Sequence, residues 1–352
     1  MKNITKLLLV LVSSISLTVS AVAGELSITG SAKASYSIGG ADDSLGKGVG
    51  ISNELKAAAS GELDNGYTWN YHIDIDPGAA GAMTQDDAAL TVTMGELGTV
   101  GFFDGEGSLH SNLKWGVGAL GSGSDYVGTM TIAYGGDIDG NTNVQYHTPA
   151  GLLPFDAQIK VGYAPSLADT AGGNDFKSTG KQNTAALAGD SATQYFVSAA
   201  PMEGLNVFAD YYERDNETAT AQKYESGAVA ATYALGNFKV GYGKSMYAPA
   251  LTDKNTAKTM YETDSYGVEF AVNDALTVSY SEEKSEASTN NAIATAASTG
   301  TKTKVESDIT SMQVAYVVGG ATLGIAITET DDADYVAGRE EKVTMFSLAM
   351  AF

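Results

Sequence analysis

No cysteine occurs in the 352 residues, so neither a disulfide framework nor a thiolate metal site is available. Arginine is almost as scarce, with Arg214 and Arg339 as the only two. Histidine is confined to His72, His110 and His147, which restricts imidazole chemistry to three positions. Basic charge is short as well: 20 Lys and Arg stand against 42 Asp and Glu, for a formal net charge of -22. Such a chain repels phosphate backbones, which argues against nucleic acid as a partner. There are only 6 Pro and 2 Trp, whereas Gly reaches 41 and Tyr 19, a composition that argues against stacked helical or α/β domains.

A long hydrophobic run is also missing. At the N-terminus Lys2 and Lys6 precede the apolar stretch Leu7 to Val12, and the small residues Ala21, Val22 and Ala23 follow. This is the layout of a cleavable secretory signal. A membrane helix needs about 20 predominantly apolar residues, and Ser13, Ser14, Ser16, Thr18 and Ser20 interrupt this stretch. Residues 1–23 are therefore expected to be a signal peptide removed after Ala23, leaving 24–352 as one β-barrel. A membrane destination would have to be reached by strands, and a closed barrel is the spanning form open to them, because lipid offers no partner for a free sheet edge.

Strands of such a barrel turn apolar side chains outward and polar ones inward, with period 2. Tyr67, Trp69, Tyr71, Ile73 and Ile75 fall on one face, with Thr68, Asn70, His72, Asp74 and Asp76 on the other. Leu26, Ile28, Ala32, Ala34, Tyr36 and Ile38 likewise oppose Ser27, Thr29, Ser31, Lys33, Ser35 and Ser37. The same two-faced pattern recurs where Phe155, Ile159, Val161 and Tyr163 oppose Asp156, Gln158 and Lys160, and where Leu276, Val278 and Tyr280 oppose Thr277, Ser279 and Ser281. A soluble sandwich would need an apolar interior, so the apolar face is expected to meet lipid.

Connections alternate between short and long. Short turn signals occur at Asp64-Asn65-Gly66, Gly95 to Gly98, Pro149-Ala150-Gly151, Pro201 to Gly204, Leu235-Gly236-Asn237, Asn273-Asp274 and Gly319-Gly320. Longer polar stretches lie around Gly40, Pro77 to Asp87, Asp104 to Gly140, Pro165 to Ser191, Arg214 to Gln222, Ala248 to Thr259, Ser285 to Lys302 and Asp331 to Gly338. Short periplasmic turns and longer outer loops are the barrel convention, and seven turns with eight loops join sixteen strands. Val127 to Tyr134 also reads as a strand, but a seventeenth would break the even count of bacterial barrels. It is therefore assigned to the long third loop. Sixteen strands leave an aqueous lumen that side chains cannot fill, and that loop is expected to fold inward and narrow it. Closure of the first strand on the last is expected to bring a freed Gly24 ammonium close to the Phe352 carboxylate.

The last strand alternates Phe346, Leu348, Met350 and Phe352 outward, like the terminal signature read by outer-membrane assembly machinery, which makes Phe352 the expected assembly signal. Together with Gly61-Glu62-Leu63-Asp64-Asn65-Gly66, Asn143 to Pro149, Val161-Gly162-Tyr163-Ala164 and the closing Leu348 to Phe352, the chain resembles the Gram-negative trimeric general porins, with the alphaproteobacterial branch as the closest. The resemblance implies a homotrimer of 16-stranded antiparallel transmembrane β-barrels in the cell outer membrane. It also implies a third loop folded into each lumen and passive diffusion of small hydrophilic solutes without a cofactor. The chain departs from such porins in lacking their arginine cluster, since both arginines fall near outer loops.

Expected constriction residues on the third loop are Asp104, Glu106, His110, Lys114 and Asp125, with Asp137 and Asp139 also candidates and Trp115 packing the loop to the wall. Expected residues of the lumen wall are Lys33, Glu54, Lys56, His72, Asp74, Lys160 and Lys239. The other reading of these charges is plain solvation of a wet face. Acid pairs such as Asp42-Asp43, Asp86-Asp87 and Asp331-Asp332 could hold Ca²⁺ or bridge lipopolysaccharide through divalent ions. Outward aromatics including Tyr36, Trp69, Tyr146, Phe238, Tyr242 and Tyr280 suit interfacial girdles. Small outward residues such as Gly30, Ala32, Ala34, Ala57 and Ala59 suit a subunit contact. A hydrolase is disfavoured because no Gly-x-Ser-x-Gly elbow occurs. A mildly cation-preferring channel, a substrate-preferring channel and a purely structural barrel remain as readings.

Overall fold

The computed structural model describes residues 24–39, 46–77, 83–111, 115–126, 132–167, 190–215, 221–252, 258–290 and 302–352. The expected signal peptide and Lys114 lie outside these residues. Sixteen strands follow in chain order: β1 (Leu26–Gly39), β2 (Lys47–Glu62), β3 (Thr68–Pro77), β4 (Met83–Thr93), β5 (Thr99–Asp104), β6 (Asn143–His147), β7 (Gln158–Ala164) and β8 (Ser191–Met202), then β9 (Leu205–Asp215), β10 (Glu225–Leu235), β11 (Phe238–Ala248), β12 (Lys258–Ala271), β13 (Leu276–Asn290), β14 (Lys302–Val318), β15 (Ala321–Asp331) and β16 (Glu341–Ala351). Each strand hydrogen-bonds to its sequence neighbours and β1 to β16, which closes the sheet into a barrel. The expected sixteen-stranded antiparallel barrel is what the chain forms.

The expected turns sit where the short signals were read. At Gly319 and Gly320 both residues have positive φ, 57° and 83°, a backbone that glycine adopts without penalty. Several strand limits differ from expectation. β4 already begins at Met83, and β13 runs on to Asn290, through stretches read from polarity as loop. A strand with polar residues on both faces reads as a loop, so polarity alone cannot find its end. Phe155 and Asp156 do not extend β7; they form a short 3-10 turn with positive φ of 60° and 52°. That turn carries Phe155 exposed, ahead of the strand.

The closing register also corrects an expectation. Ser31 pairs with Ala351 and Gly39 with Val343, so the last residue falls beside the middle of β1 and not at its start. Gly24 is displaced along the strand by about 20 Å, at roughly 3.3 Å per residue. Closing a barrel requires such a stagger, and counting strands does not reveal it.

The chain divides into two compact units, one of Met1–Gly30, Glu54–Leu109 and Asp137–Val197, the other of Ser31–Asn53, His110–Gly136 and Ser198–Phe352. In the second unit the outer face is apolar near the short turns. Phe238 packs on Phe270 with ring centroids 4.6 Å apart, and Tyr242 stacks on Tyr266 at 6.1 Å. One outward step further along, Lys244 pairs with Asp264 at 2.8 Å and Lys284 with Asp308 at 3.3 Å. Register places these four side by side on β11 to β14. The apolar band therefore ends abruptly at a row of alternating charge. In the first unit Val92, Met94 and Val100 form a tight outer-face cluster with Tyr67, Trp69, Val144 and Tyr146.

Candidate functional site on the inner face

In the first unit β2 and β3 bring three of the expected wall residues together. Register sets Lys56 opposite Asp74, and the Lys56 ammonium donates to Asp74 Oδ2 at 2.8 Å. His72 lies one inward position along β3, its Nε2 3.9 Å from the same oxygen. From the start of the third loop Glu106 reaches this group: its Oε2 lies 2.5 Å from His72 Nε2, and its Oε1 accepts from Lys56 at 3.4 Å. Glu106 is held there through the backbone. Asn143 Nδ2 donates to the Glu106 carbonyl at 3.3 Å, and Gln145 Nε2 donates to the Gly107 carbonyl at 2.5 Å. Gly107 has φ of 88°, and a Cβ on it would fall 2.4 Å from Gln145 Nε2. The turn into the loop thus requires glycine at that position.

Within the same unit, Asp104 and Asp137 do not join this group. Asp104 ends β5 opposite Ala88, on the face of Phe102, which is the outer one. There it accepts from Thr142 Oγ1 at 2.9 Å. The inward assignment of Asp104 is corrected on this point, since alternation within β5 carries it outward. Asp137 is a loop clasp: it accepts from Leu109 N at 2.9 Å and caps Ile138 N at 2.7 Å. Lys160 lies on the inner face of β7 with its ammonium 5.6 Å from the centre of the Phe196 ring. Glu54 shares the face of Lys56 and is exposed.

In the second unit the loop is pinned to the inner face of successive strands. Asp210 of β9, itself buried, accepts from Ser111 N at 3.0 Å and from the Ser111 hydroxyl, with His110 Nδ1 3.3 Å away. Trp115, 1% exposed, lies in a notch where β11 carries Gly241 and Gly243. A Cβ on Gly243 would meet Trp115 Cβ at 2.7 Å. Lys239 donates to the Gly116 carbonyl at 3.2 Å. Ala119 N donates to Ser279 Oγ and Leu120 N to Gln313 Oε1, each at 2.8 Å. Buried Glu283 of β13 accepts from Ser122 Oγ at 2.9 Å and Ser124 N at 3.0 Å. Asp125 stays exposed on the 3-10 turn Gly123–Tyr126, accepting from Ser122 N at 3.1 Å. On the return, Ala133 N donates to Tyr335 Oη at 3.2 Å and Gly136 N to Ser226 Oγ at 3.2 Å. Lys33 faces inward on β1, opposite Ala349.

The anchors Asp210, Glu283, Gln313 and Tyr335 were not singled out in the sequence. A signal for them existed: Gly241, Gly243 and Gly267 occupy inward positions where a wet wall would carry polar side chains. Glycine there leaves room for something to lie against the wall.

Arg214 lies over the Tyr224 ring at 4.2 Å, and Arg339 binds Asp334 at 2.5 Å and Glu341 at 3.0 Å.

The chain is thus a sixteen-stranded closed barrel whose third loop lies against the inner face of the sheet. Among solved structures of this architecture, an anion-selective porin from Comamonas acidovorans is similar at 12% identity and a TM-score of 0.63, over 94% of this chain and 100% of that one. Salmonella typhi OmpF, solved in complex with daunomycin, is similar at 12% identity and 0.63, over 94% and 98%. A loop L8 deletion mutant of OmpT, an outer membrane protein of Vibrio cholerae, is similar at 15% identity and 0.63, over 94% and 99%. No protein-family model matches the chain, and no curated protein matches it. Identities this low establish a shared fold.

Proposed function

We propose that this chain is an outer-membrane channel for passive diffusion of small hydrophilic solutes and ions, with a mild preference for cations. The observation that carries this reading is the third loop on the inner face, where Glu106 meets Lys56, His72 and Asp74. A barrel of this size encloses water, and an inward loop carrying charge is a means of narrowing and biasing the path. The exposed apolar band with Phe238, Val240, Tyr242 and Val268 is matched by lipid, since a closed sheet satisfies its own backbone and needs no water outside.

Several further points support membership of the trimeric general porins. The fold is that of solved porins, and the small outer-face residues of β1 and β2 suit contact with another subunit. Residues 1–23 read as an export signal, with cleavage after Ala23. Solute passage of this kind involves no chemical step. The fold does not by itself set the sign of selectivity, since the similar Comamonas acidovorans structure is an anion-selective porin. Here Asp74 and Glu106 face one ammonium, that of Lys56.

Planar-bilayer recording of the full-length protein tests the reading. Conductance steps in groups of three, with a zero-current potential of cation-preferring sign in a salt gradient, are expected. Electrical silence of correctly folded protein would favour a structural barrel.

A further inference from the structure

We propose that His72, Asp74 and Glu106 form a binding site for a single divalent transition-metal ion of the Zn²⁺ class. The three side chains offer one imidazole nitrogen and two carboxylate oxygens, all within 4.8 Å of one another. Such a nitrogen and oxygen donor set suits Zn²⁺, Cu²⁺ or Ni²⁺. It falls short of the six or more oxygens that Ca²⁺ requires.

Metal–ligand bonds of roughly 2.0–2.2 Å in a tetrahedron set ligand atoms about 3.4 Å apart. The present contacts bracket that spacing: His72 Nε2 lies 2.5 Å from Glu106 Oε2 and 3.9 Å from Asp74 Oδ2. Rotation of side chains alone moves both distances toward it. The backbones need not move, because His72 and Asp74 occupy successive inward positions of one paired strand. The Glu106 backbone is likewise fixed by Asn143.

A second observation points to a missing cation. Asp74 is 4% exposed, and its Oδ1 is buried without a hydrogen-bond partner. A buried carboxylate oxygen left unpaired is costly, and a turn of the carboxylate that brings Oδ1 to the ion as well as Oδ2 would satisfy it. Lys56 now supplies the local positive charge, donating to Asp74 Oδ2 at 2.8 Å and to Glu106 Oε1 at 3.4 Å. An entering ion must displace that ammonium, so Lys56 competes with the metal and sets its affinity. The fourth position would go to water, since Lys56 and Glu106 keep 33% and 22% of their side-chain surface exposed.

Binding is independent of the channel reading and is tested without it. Full-length folded protein in detergent is titrated with Zn²⁺ by calorimetry, and with Co²⁺ by its visible absorption. Excess Ca²⁺ is present throughout to occupy the acidic loops. One saturable site per chain is expected. His72→Asn and Glu106→Gln should each weaken it about tenfold or more, as losses at a metal site do. Lys56→Met should tighten it, a gain that misfolding cannot imitate. Zn²⁺ binding that survives both ligand substitutions, or no saturable binding in the wild type and in Lys56→Met, overturns the proposal. A parallel bilayer recording separates the two readings: Zn²⁺ bound without any change in conductance counts against the channel path and leaves the site standing.

Discussion

Glu106 shows most clearly what one residue contributes. It lies just beyond β5, where the chain leaves the sheet, and its carboxylate returns to the wall at Lys56 and His72. Only charges within about a Debye length, roughly 8 Å at physiological salt, act strongly on a passing ion. Glu106→Gln is therefore expected to shift the zero-current potential toward anions. The change in permeability ratio should be about threefold, the factor for ~0.7 kcal/mol at ~6 Å in water. Neutralising Asp331, Asp332 and Asp334 together should barely move it, and an equal shift from that set would remove Glu106 as the selective charge. Tyr335, outside the strands, carries a second residue-scale prediction. Burial raises its phenol above the ordinary 10.0, so the neutral form is the one the fold favours. Its contribution to stability is full below pH 10 and is lost as the pH rises past its folded value. Absorbance titration of wild type against Tyr335→Phe should show one late tyrosinate in the difference.

The described residues of the third loop form only short 3-10 turns, and their position is set by contacts with the wall. The expectation of a long inward connection came from its length, from the open lumen of sixteen strands and from the porin resemblance, and sequence could not choose which wall it would lie on. Gly241 and Gly243 make the choice physical, because Trp115 fills the space that side chains there would take. Gly243→Val should expel the indole, costing about 1–3 kcal/mol through overpacking, while leaving the strand itself intact. The readout is single-channel conductance, which should rise as the loop loosens. Unchanged conductance with a native thermal profile would show that Trp115 does not hold the loop. Strand ends were less legible than strand faces for a related reason. The outer positions of β13 continue a regular ladder with β14 through Glu282, Lys284 and Glu286, whereas the polar run from Ser285 was read as a loop.

At the scale of the whole molecule, closure is a property of the sheet and not of any strand. Ser35 pairs with Ser347 across the seam, and paired residues hold their Cβ atoms about 4.5–5.5 Å apart, within disulfide reach after slight adjustment. As the chain has no cysteine, Ser35→Cys with Ser347→Cys gives a test free of background. The double variant is expected to form an intramolecular disulfide on oxidation, seen as a mobility shift of the unfolded chain. Moving one partner to Thr344 should abolish it. Failure of the first pair together with success at another register would refute the stagger described here.

Strand number, face assignment and the order of short and long connections were fixed by sequence because each depends on local pattern: period-2 alternation, as in Tyr67 to Asp76, and turn chemistry, as in Gly319-Gly320. Composition alone removed disulfides and thiolate sites. The meeting of Glu106 with Lys56, His72 and Asp74 depended on tertiary structure, because it joins three separate segments through one staggered register. So did the notch that receives Trp115 and the stagger of β1 against β16. A one-residue change of register or strand end reverses which face a side chain takes, and in this chain that register is settled only when the sheet closes on itself.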